Sequence, residues 1–424
     1  MMMMMMMNLI FLGCGSRVFS PSLRHTATRS AAESKRDMFR DGKACLSVSS
    51  SIIEESRPED ASLNFTELGI KYGHPVEEYD VITDDGYILT LFHIPGKTKG
   101  PLLLMHGLFD SADTFIIRGN MSLGITLANK GYDVWAGNTR GNKYGRRHKY
   151  LDPDAGPKFW DFSFHEAGYY DLAALVDFIL QFTGEQNIRT IGHSQGTVIH
   201  FVLLSTRPEY NEKIKGFIAL APIAFLSNLI PPVSKLAKKW RVINKFLKAS
   251  GIDELCRDHS AASDLMQLLC SQGLIGYDVC YVLLSSPIFG FDPERIEPDF
   301  WEVITGHFPT STSRRSLVHF AQVFDKKRFA QYDYGAVRNF RDYKQLIPPS
   351  YNLEKVTTRI SLIVGANDNL SRLKDVDILR TMLPKEPKYH VMEPMLWNHV
   401  DFTCANDMDV YLYPYILSSL QDFE

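Results

Sequence analysis

The pattern of hydrophobic positions predicts a domain that begins near residue 79 and alternates strands with helices. Residues 79–83 and 87–94 are rich in β-branched and aromatic side chains, and they flank Asp84-Asp85-Gly86, the turn chemistry of a β-hairpin. Ser163 and Glu166 form a capping box before an amphipathic helix. The unbroken apolar run at 102–105 is typical of a strand buried on both faces, and residues 133–136, 188–191, 214–220 and 360–364 are further candidates for buried strands. We therefore expect an α/β fold with a mostly parallel sheet flanked by helices.

The alternation of strands and helices fails between residues 226 and 335, which we interpret as a helical cap inserted into the sheet domain. One basic amphipathic helix is predicted there, because apolar residues recur at helical spacing among Lys and Arg. Its apolar positions are Val233, Leu236, Trp240, Ile243 and Leu247. This helix either packs on its neighbours or belongs to a lid whose apolar face meets lipid and whose cations meet anionic head groups or fatty-acid product. The core then comprises residues 63–225 and 336–424.

The first 62 residues do not have the pattern of a folded domain. Residues 1–15 form an apolar stretch that ends in small residues, as in a short signal peptide, although seven Met and no Lys or Arg come first. Residues 16–32 instead carry three Arg and no acid, as in an organellar transit peptide. Export, organellar import and an uninformative start remain open, and residues 16–62 are expected to be a disordered or pro-like leader.

Composition and charge exclude several classes of protein. The 424 residues are 45% hydrophobic, and 46 Lys and Arg against 49 Asp and Glu leave a net charge of −3, so no nucleic-acid partner is expected. No charge-free apolar run reaches the roughly 20 residues of a transmembrane anchor. The six Cys show no CxxC pair, and the sequence implies neither a metal nor an organic cofactor. It leaves the oligomeric state open.

The sequence Gly192-His193-Ser194-Gln195-Gly196 carries the strongest chemical signal. It follows the strand predicted at 188–191 and precedes an apolar helix, so the GxSxG motif lies in a strand-turn-helix context. We expect glycine at both flanking positions because a side chain would clash in so tight a turn. Ser194 is therefore the candidate nucleophile.

A serine nucleophile needs a base, and the base needs a carboxylate that orients it. Asp368 follows the strand predicted at 360–364, and His399 follows a last short strand predicted at 389–392. The chain order Ser194, Asp368, His399 is the order of nucleophile, acid and base in α/β-hydrolases. Asp401 is the alternative acid, but its place after the histidine breaks that order.

The developing oxyanion needs hydrogen-bond donors. The backbone N–H of Gln195, directly after the nucleophile, is one candidate, and the N–H of Leu108, in the loop after an early strand, is the other. His106 and His193 flank tight turns, and we expect them to bind backbone groups rather than to transfer protons.

These residues resemble the acid lipase family of α/β-hydrolases, which contains gastric, lysosomal acid and many insect digestive lipases. The resemblance spans residues 63 to 424 and rests on the segments 73–89, 102–115, 131–148, 159–180, GHSQGT at 192–197 and NHVDF at 398–402. It implies the α/β-hydrolase fold, with Ser194, Asp368 and His399 as the triad and Leu108 and Gln195 as the oxyanion hole. It also implies neutral lipid esters at a lipid–water interface as substrates, chiefly triacylglycerols and in some members cholesteryl esters, and a secreted or lysosomal protein.

The resemblance further implies a disulfide in the cap, at Cys256 and Cys270, which would leave Cys280 as a free thiol. Three glycosylation sequons begin at Asn64, Asn120 and Asn369, and we expect a glycan at Asn64 or Asn120 only, because Asn369 adjoins the proposed acid. Two other functions stay open: a carboxylesterase or acylglycerol lipase for smaller soluble esters, and a non-catalytic lipid-binding protein on the same fold.

Overall fold

The computed structural model describes residues 58–96 and 98–424. The expectations for residues 1–57, including the signal-like segment 1–15, lie outside these residues. The predicted leader extended to residue 62, and this boundary is wrong. Glu59–Ala61 form a 3₁₀ turn in which Ala61 is buried, and Nε2 of His307 donates a hydrogen bond to the carbonyl of Asp60 over 2.7 Å. The folded part of the chain therefore begins before residue 63.

A twisted sheet forms the centre of the molecule. The strands are β1 (Glu77–Ile82), β2 (Tyr87–Ile94), β3 (Pro101–Met105), β4 (Asp133–Gly137), β5 (Arg147–His148), β6 (Ile188–His193), β7 (Ile214–Leu220), β8 (Glu254–Leu255), β9 (Thr312–Ser313), β10 (Arg359–Val364) and β11 (Lys388–Val391). The main sheet has the order β1-β2-β4-β3-β6-β7-β10-β11, with β5 beside β2, and β8 pairs with β9 separately. β2 pairs antiparallel with β1, β4 and β5. The other neighbours in the main sheet, β4-β3, β3-β6, β6-β7, β7-β10 and β10-β11, all pair in parallel. The predicted hairpin and the predicted parallel sheet are confirmed.

Helices cover both faces of this sheet. Up to residue 225 they are α1 (Phe65–Lys71), α2 (Leu123–Asn129), α3 (Phe164–Glu166), α4 (Ala173–Thr183), α5 (Gln195–Thr206) and α6 (Tyr210–Lys213). The capping box predicted at Ser163 and Glu166 is present in both directions, and a π-helical turn, Ala167–Leu172, joins α3 to α4. All five side chains of β3 are buried, since helices pack on either side of it.

The segment from 226 to 335 is mainly helical. It contains α7 (Val233–Ala237), α8 (Trp240–Ala249), α9 (Ala261–Cys270), α10 (Gly273–Gly276), a π-helix (Tyr277–Ser285), α11 (Ser286–Phe289), α12 (Pro298–His307) and α13 (Arg314–Lys326). The single basic helix predicted from Val233 to Leu247 is wrong, because the chain leaves helical geometry at Lys239 and forms α7 and α8 instead. Within α8, Leu247 is buried, in a small cluster with Ile252 and Leu255.

The remaining chain returns to the sheet through α14 (Ala336–Tyr343), α15 (Leu373–Met382), α16 (Asp401–Cys404), α17 (Met408–Tyr411) and α18 (Tyr413–Asp422). Among the described residues, no single helix has the length and hydropathy to cross a membrane. One pair of helices, Ala261–Cys270 with Gly273–Phe289, passes such a test together, but it is bent by 118°.

The disulfide expected between Cys256 and Cys270 is wrong. Cys270 bonds to Cys280, ten residues later, and Cys256 is a free thiol. The reason is the turn after α9, which folds the next helix back and brings the Cα atoms of Cys270 and Cys280 to 5.5 Å. Cys256 directly follows β8, in a left-handed backbone conformation.

Candidate active site

Ser194 stands at a strained turn between β6 and α5. Its φ of 52° is positive, which is costly for a residue with a side chain and persists only where the surroundings impose it. One such constraint is visible, because the N–H of Ser194 donates to the carbonyl of Leu220, at the end of the neighbouring strand β7, over 3.1 Å. The turn holds the hydroxyl at the carboxyl edge of the sheet, where α/β folds bind ligands.

Both glycines of the motif are required by close contacts. A Cβ atom on Gly196 would lie 2.2 Å from the carbonyl oxygen of Met105, and one on Gly192 would lie 2.8 Å from the backbone of Gly196. These distances are far below van der Waals contact, so a side chain at position 196 would push the turn away from β3, and one at position 192 would push the start of α5 away from β6. The steric reason predicted for the two glycines is confirmed.

Three loops bring the predicted nucleophile, base and acid together. Asp368 lies in the acid loop, residues 365–371, after β10, and His399 lies in the base loop, residues 392–400, after β11. The Oγ of Ser194 donates to Nε2 of His399 over 2.8 Å, and Nδ1 of His399 donates to the carboxylate of Asp368 over 2.7 Å. All three side chains are buried, so little water competes for these contacts.

The two candidate acids occupy different environments. One oxygen of Asp368 contacts the histidine, and the other accepts the N–H groups of Leu370 and Ser371 over 2.8 and 2.7 Å, which fixes the carboxylate in place. Asp401 instead accepts the N–H of Asn398 over 2.7 Å. Burial raises the pKa of Asp401 well above that of an ordinary carboxyl, which favours its neutral form. The geometry therefore favours Asp368 over Asp401.

The two predicted oxyanion donors adjoin the nucleophile. Gln195 is the first residue of α5, so its N–H has no carbonyl partner one turn earlier within the helix. A Cβ on Gly107 would lie 3.4 Å from the Cβ of Ser194, so the loop that carries Leu108 packs directly against the nucleophile. Both N–H groups thus belong to backbone that surrounds the serine.

Comparison with known proteins places this site in a family. The family model "alpha/beta hydrolase fold" matches residues 100–250, and the "partial alpha/beta-hydrolase lipase region" matches residues 65–119. Gastric triacylglycerol lipase of Mus musculus is 36% identical over 86% of this chain and 93% of that protein. Lipase 1 of Drosophila melanogaster is 36% identical over 85% of this chain and 80% of that protein. The chain belongs to the acid lipase family. Its fold and its relatives identify it as a serine ester hydrolase.

A solved structure agrees on the fold of this lipase. A soluble variant of monoglyceride lipase from Saccharomyces cerevisiae, in complex with a substrate analogue, matches with a TM-score of 0.50. The two chains are 15% identical, and the match covers 82% of this chain and 94% of that one. At this identity the comparison supports the α/β-hydrolase fold alone.

Two further histidines of the lipase near the nucleophile bind backbone groups, as predicted. Nδ1 of His106 donates to the carbonyl of Gly107 over 2.8 Å, and Nε2 of His193 donates to the carbonyl of His399 over 2.9 Å. Burial lowers the pKa of His106 to about 4 and that of His193 to about 3, so both rings are neutral near pH 7. The neutral ring of His193 therefore contacts the backbone of the base, His399, and not its imidazole.

Sequence reasoning missed the contacts that the segment between residues 226 and 335 makes with this lipase site. The carbonyl of Phe289 accepts the N–H of His399 over 3.1 Å, and the N–H of Thr310 donates to the carbonyl of Phe109, in the candidate oxyanion loop, over 2.8 Å. Backbone contacts of this kind leave no side-chain signature in the sequence. Within the described ranges, no group of three His, Cys, Asp or Glu side chains is arranged to hold a metal ion.

Proposed function

We propose that this protein is a lipase that hydrolyses triacylglycerols through Ser194, His399 and Asp368. The observation that carries the proposal is the continuous chain of contacts from the hydroxyl through the imidazole to the carboxylate, with distances of 2.8 and 2.7 Å. This is the arrangement by which a weak serine nucleophile is activated. Relatives named gastric triacylglycerol lipase support the substrate class.

In the first half of the reaction, Oγ of Ser194 attacks the ester carbonyl while Nε2 of His399 takes the hydroxyl proton. The N–H groups of Leu108 and Gln195 donate to the oxygen that becomes negative, a contribution typically worth about 3 to 4 kcal/mol for each donor. His399 then passes its proton to the departing alkoxide, so that an alcohol leaves and an acyl-serine remains.

In the second half, His399 takes a proton from water, and the hydroxide formed attacks the acyl-serine. The collapse of this second tetrahedral intermediate breaks the ester to Ser194, releases the fatty acid and returns the proton to Oγ. Asp368 keeps the Nδ1 proton of His399 in place, which leaves Nε2 free to act as the base, and its charge stabilises the imidazolium.

The lipid–water interface is the proposed place of this reaction. The exposed helical turn α10 carries Leu274 and Ile275, which are 70% and 74% accessible to solvent. Between residues 265 and 291 the chain holds one charged side chain, that of Asp278. An apolar, nearly uncharged turn at the surface suits contact with a lipid surface better than contact with water. This favours emulsified lipid over a small soluble ester as the substrate.

Replacement of Ser194 by Ala tests the proposal. We expect loss of fatty-acid release from emulsified triacylglycerol and loss of labelling by a fluorophosphonate probe, with an unchanged thermal unfolding curve. Ser205→Ala, a substitution farther along α5 of another buried serine, is the control and should keep both signals. Turnover by folded Ser194→Ala above a trace, or no labelling of the wild type, would contradict the assignment. Parallel assays with a soluble short-chain ester separate the lipase from a carboxylesterase.

A secreted or lysosomal location is proposed with the same function. The Cys270–Cys280 bond is of the kind that forms in the secretory pathway and that reducing compartments disfavour. The sequons at Asn64 and Asn120 are the proposed glycosylation sites, and Asn369, next to Asp368, is not. A mass decrease on treatment of the exported protein with a glycosidase, mapped to these two residues, is the expected result.

A further inference from the structure

A short segment, residues 287–291, lies between the acid loop and the base loop. The carbonyl of Phe289 accepts the N–H of His399 over 3.1 Å and that of Asn369 over 3.4 Å. A single oxygen thus holds the backbone of the histidine and the backbone of the residue that follows Asp368. The ring of Phe289 also lies parallel to the imidazole of His399, at 9°, with centroids 6.0 Å apart.

The side chain of Asn367, in the acid loop, also bonds to the segment 287–291 and to the base loop. Its Nδ2 donates to the carbonyl of Phe291 over 2.8 Å and to the carbonyl of Leu396, in the base loop, over 3.1 Å. Gly290 lies directly against both loops. Its φ is 109°, and a Cβ there would lie 2.2 Å from the carbonyl oxygen of Asn367 and 2.7 Å from the Cβ of Asn398. Only a glycine allows the segment to approach both loops this closely.

Asp368 and His399 need such a constraint because they stand on separate loops after separate strands. Each loop is anchored by its own strand, but a triad requires the carboxylate and the imidazole to keep their mutual geometry within about 0.5 Å. A displacement of about 1 Å at a reacting group can lower a rate by roughly 100-fold.

We infer that the segment 287–291 is a positioning element of the active site, which sets the distance and angle between Asp368 and His399 by bonding to both loops. This inference rests on the proposed function and extends it, since it makes a segment outside the sheet part of the machinery that aligns the base. In this role the segment acts through the backbone of His399 and of Asn369, the residue after Asp368. It acts on small soluble esters and on lipids alike, because it works through His399 and not through the substrate.

The test compares three variants on a soluble short-chain ester, a substrate that needs no lipid surface. Gly290→Ala adds the clashing Cβ, and Asn367→Ala removes the two bonds to Phe291 and Leu396. Gly251→Ala is the matched control, because this glycine also lies between residues 226 and 335, also has a positive φ, of 69°, and has nothing within 4 Å of the added Cβ.

We expect kcat to fall at least about 10-fold in Gly290→Ala and about 3- to 10-fold in Asn367→Ala, with KM unchanged within about twofold. The rate of fluorophosphonate labelling should fall by the same factors, because it depends on the same base. Gly251→Ala should keep both rates. A role in folding alone would lower the Tm and the yield of active protein without this division between kcat and KM.

The outcomes separate the two proposals. If the wild type neither cleaves the ester nor reacts with the probe, the proposed function fails. If the wild type is active and folded Gly290→Ala and Asn367→Ala both keep its kcat and labelling rate, the positioning role is wrong and the function stands. Should Gly290→Ala not fold, Asn367→Ala decides alone, because it removes side-chain bonds and adds no clash.

Discussion

The carboxylate of Asp368 lies 2.7 Å from Nδ1 of His399, whereas the carboxyl of Asp401, two residues after that histidine, accepts the N–H of Asn398. Proximity in the sequence therefore does not decide which acid orients the base. Asp368 comes from a loop 31 residues earlier, and the parallel order of β10 and β11 brings it beside the imidazole.

Exchange of each acid for its amide should separate their roles. Asp368→Asn places an amide where Nδ1–H needs an acceptor and removes the charge that stabilises the imidazolium, so we expect kcat on a soluble ester to fall by roughly 10⁴-fold. Burial raises the pKa of Asp401 above that of an ordinary carboxyl, and an amide oxygen can still accept the N–H of Asn398, so Asp401→Asn should keep kcat within about threefold. Equal losses in the two variants would show that the acid is wrongly assigned.

Much of the fold was predictable because local signals and tertiary structure agree. The turn residues 84–86 lie between β1 and β2 as predicted, and the fully apolar run at 102–105 became β3, buried on both faces. The GxSxG motif combines a strand, two glycines and a helix, so it predicts a geometry as well as a residue. That redundancy explains why Ser194 could be located from the sequence.

The cysteine pairing and the contacts of residues 287–291 could not be predicted, because they depend on the direction in which the chain continues after a helix ends. Spacing alone does not decide which of Cys256 and Cys280 pairs with Cys270, and the turn after α9 decides it. The role of Phe289 is carried by its backbone carbonyl, which every residue has. The break of the basic helix at Lys239 shows the same limit, since helical periodicity continues through a residue that leaves helical geometry.

The Cys270–Cys280 bond should stabilise the protein, whereas Cys256 should contribute no cross-link. Closing a loop of ten residues reduces the entropy of the unfolded chain by an amount worth about 3 kcal/mol in the loop-entropy treatment. We expect Cys280→Ser to lower the free energy of unfolding by about 2 to 3 kcal/mol and Cys256→Ser to lower it by less than about 1 kcal/mol. Urea unfolding of both variants measures this. Peptide mapping without reduction should recover residues 270 and 280 cross-linked, and a cross-linked Cys256 would refute the pairing.

Stability should also depend on pH through His319. This buried ring stacks on Phe164 with centroids 3.7 Å apart, and Nε2 donates to the carbonyl of Ala330, while burial lowers its pKa to about 3. The unfolded histidine, with a pKa near 6.5, binds a proton as the pH falls and the native one does not, so stability is lost from about pH 6.5 downwards. This linkage amounts to about 3 kcal/mol at pH 4.

In His319→Gln that linkage is absent. The destabilisation caused by the substitution should therefore shrink by about 3 kcal/mol between pH 7 and pH 4, as measured by urea unfolding at both values. Phe164→Leu is the control, because it removes the stacking partner without removing a titrating group. The free energy of unfolding that it loses should be the same at the two pH values. A constant cost for His319→Gln would mean that the native ring takes up a proton as readily as the unfolded chain.

The exposed apolar turn gives the sharpest test of lipid binding. Leu274 and Ile275 are two exposed apolar side chains on a stretch almost free of charge, so contact with a lipid surface should bury them and bind the protein. Exchange of both for Ser removes two large apolar side chains, and we expect at least about 10-fold lower activity on emulsified triacylglycerol with unchanged kcat/KM on a soluble ester. Ile70→Ser is the control, because Ile70 is also an exposed apolar residue, 63% accessible, but lies on α1, outside residues 226–335. Co-flotation with neutral lipid droplets should weaken in the double variant and persist in the control, and equal loss on both substrates would show that the turn acts on the chemistry instead of on the interface.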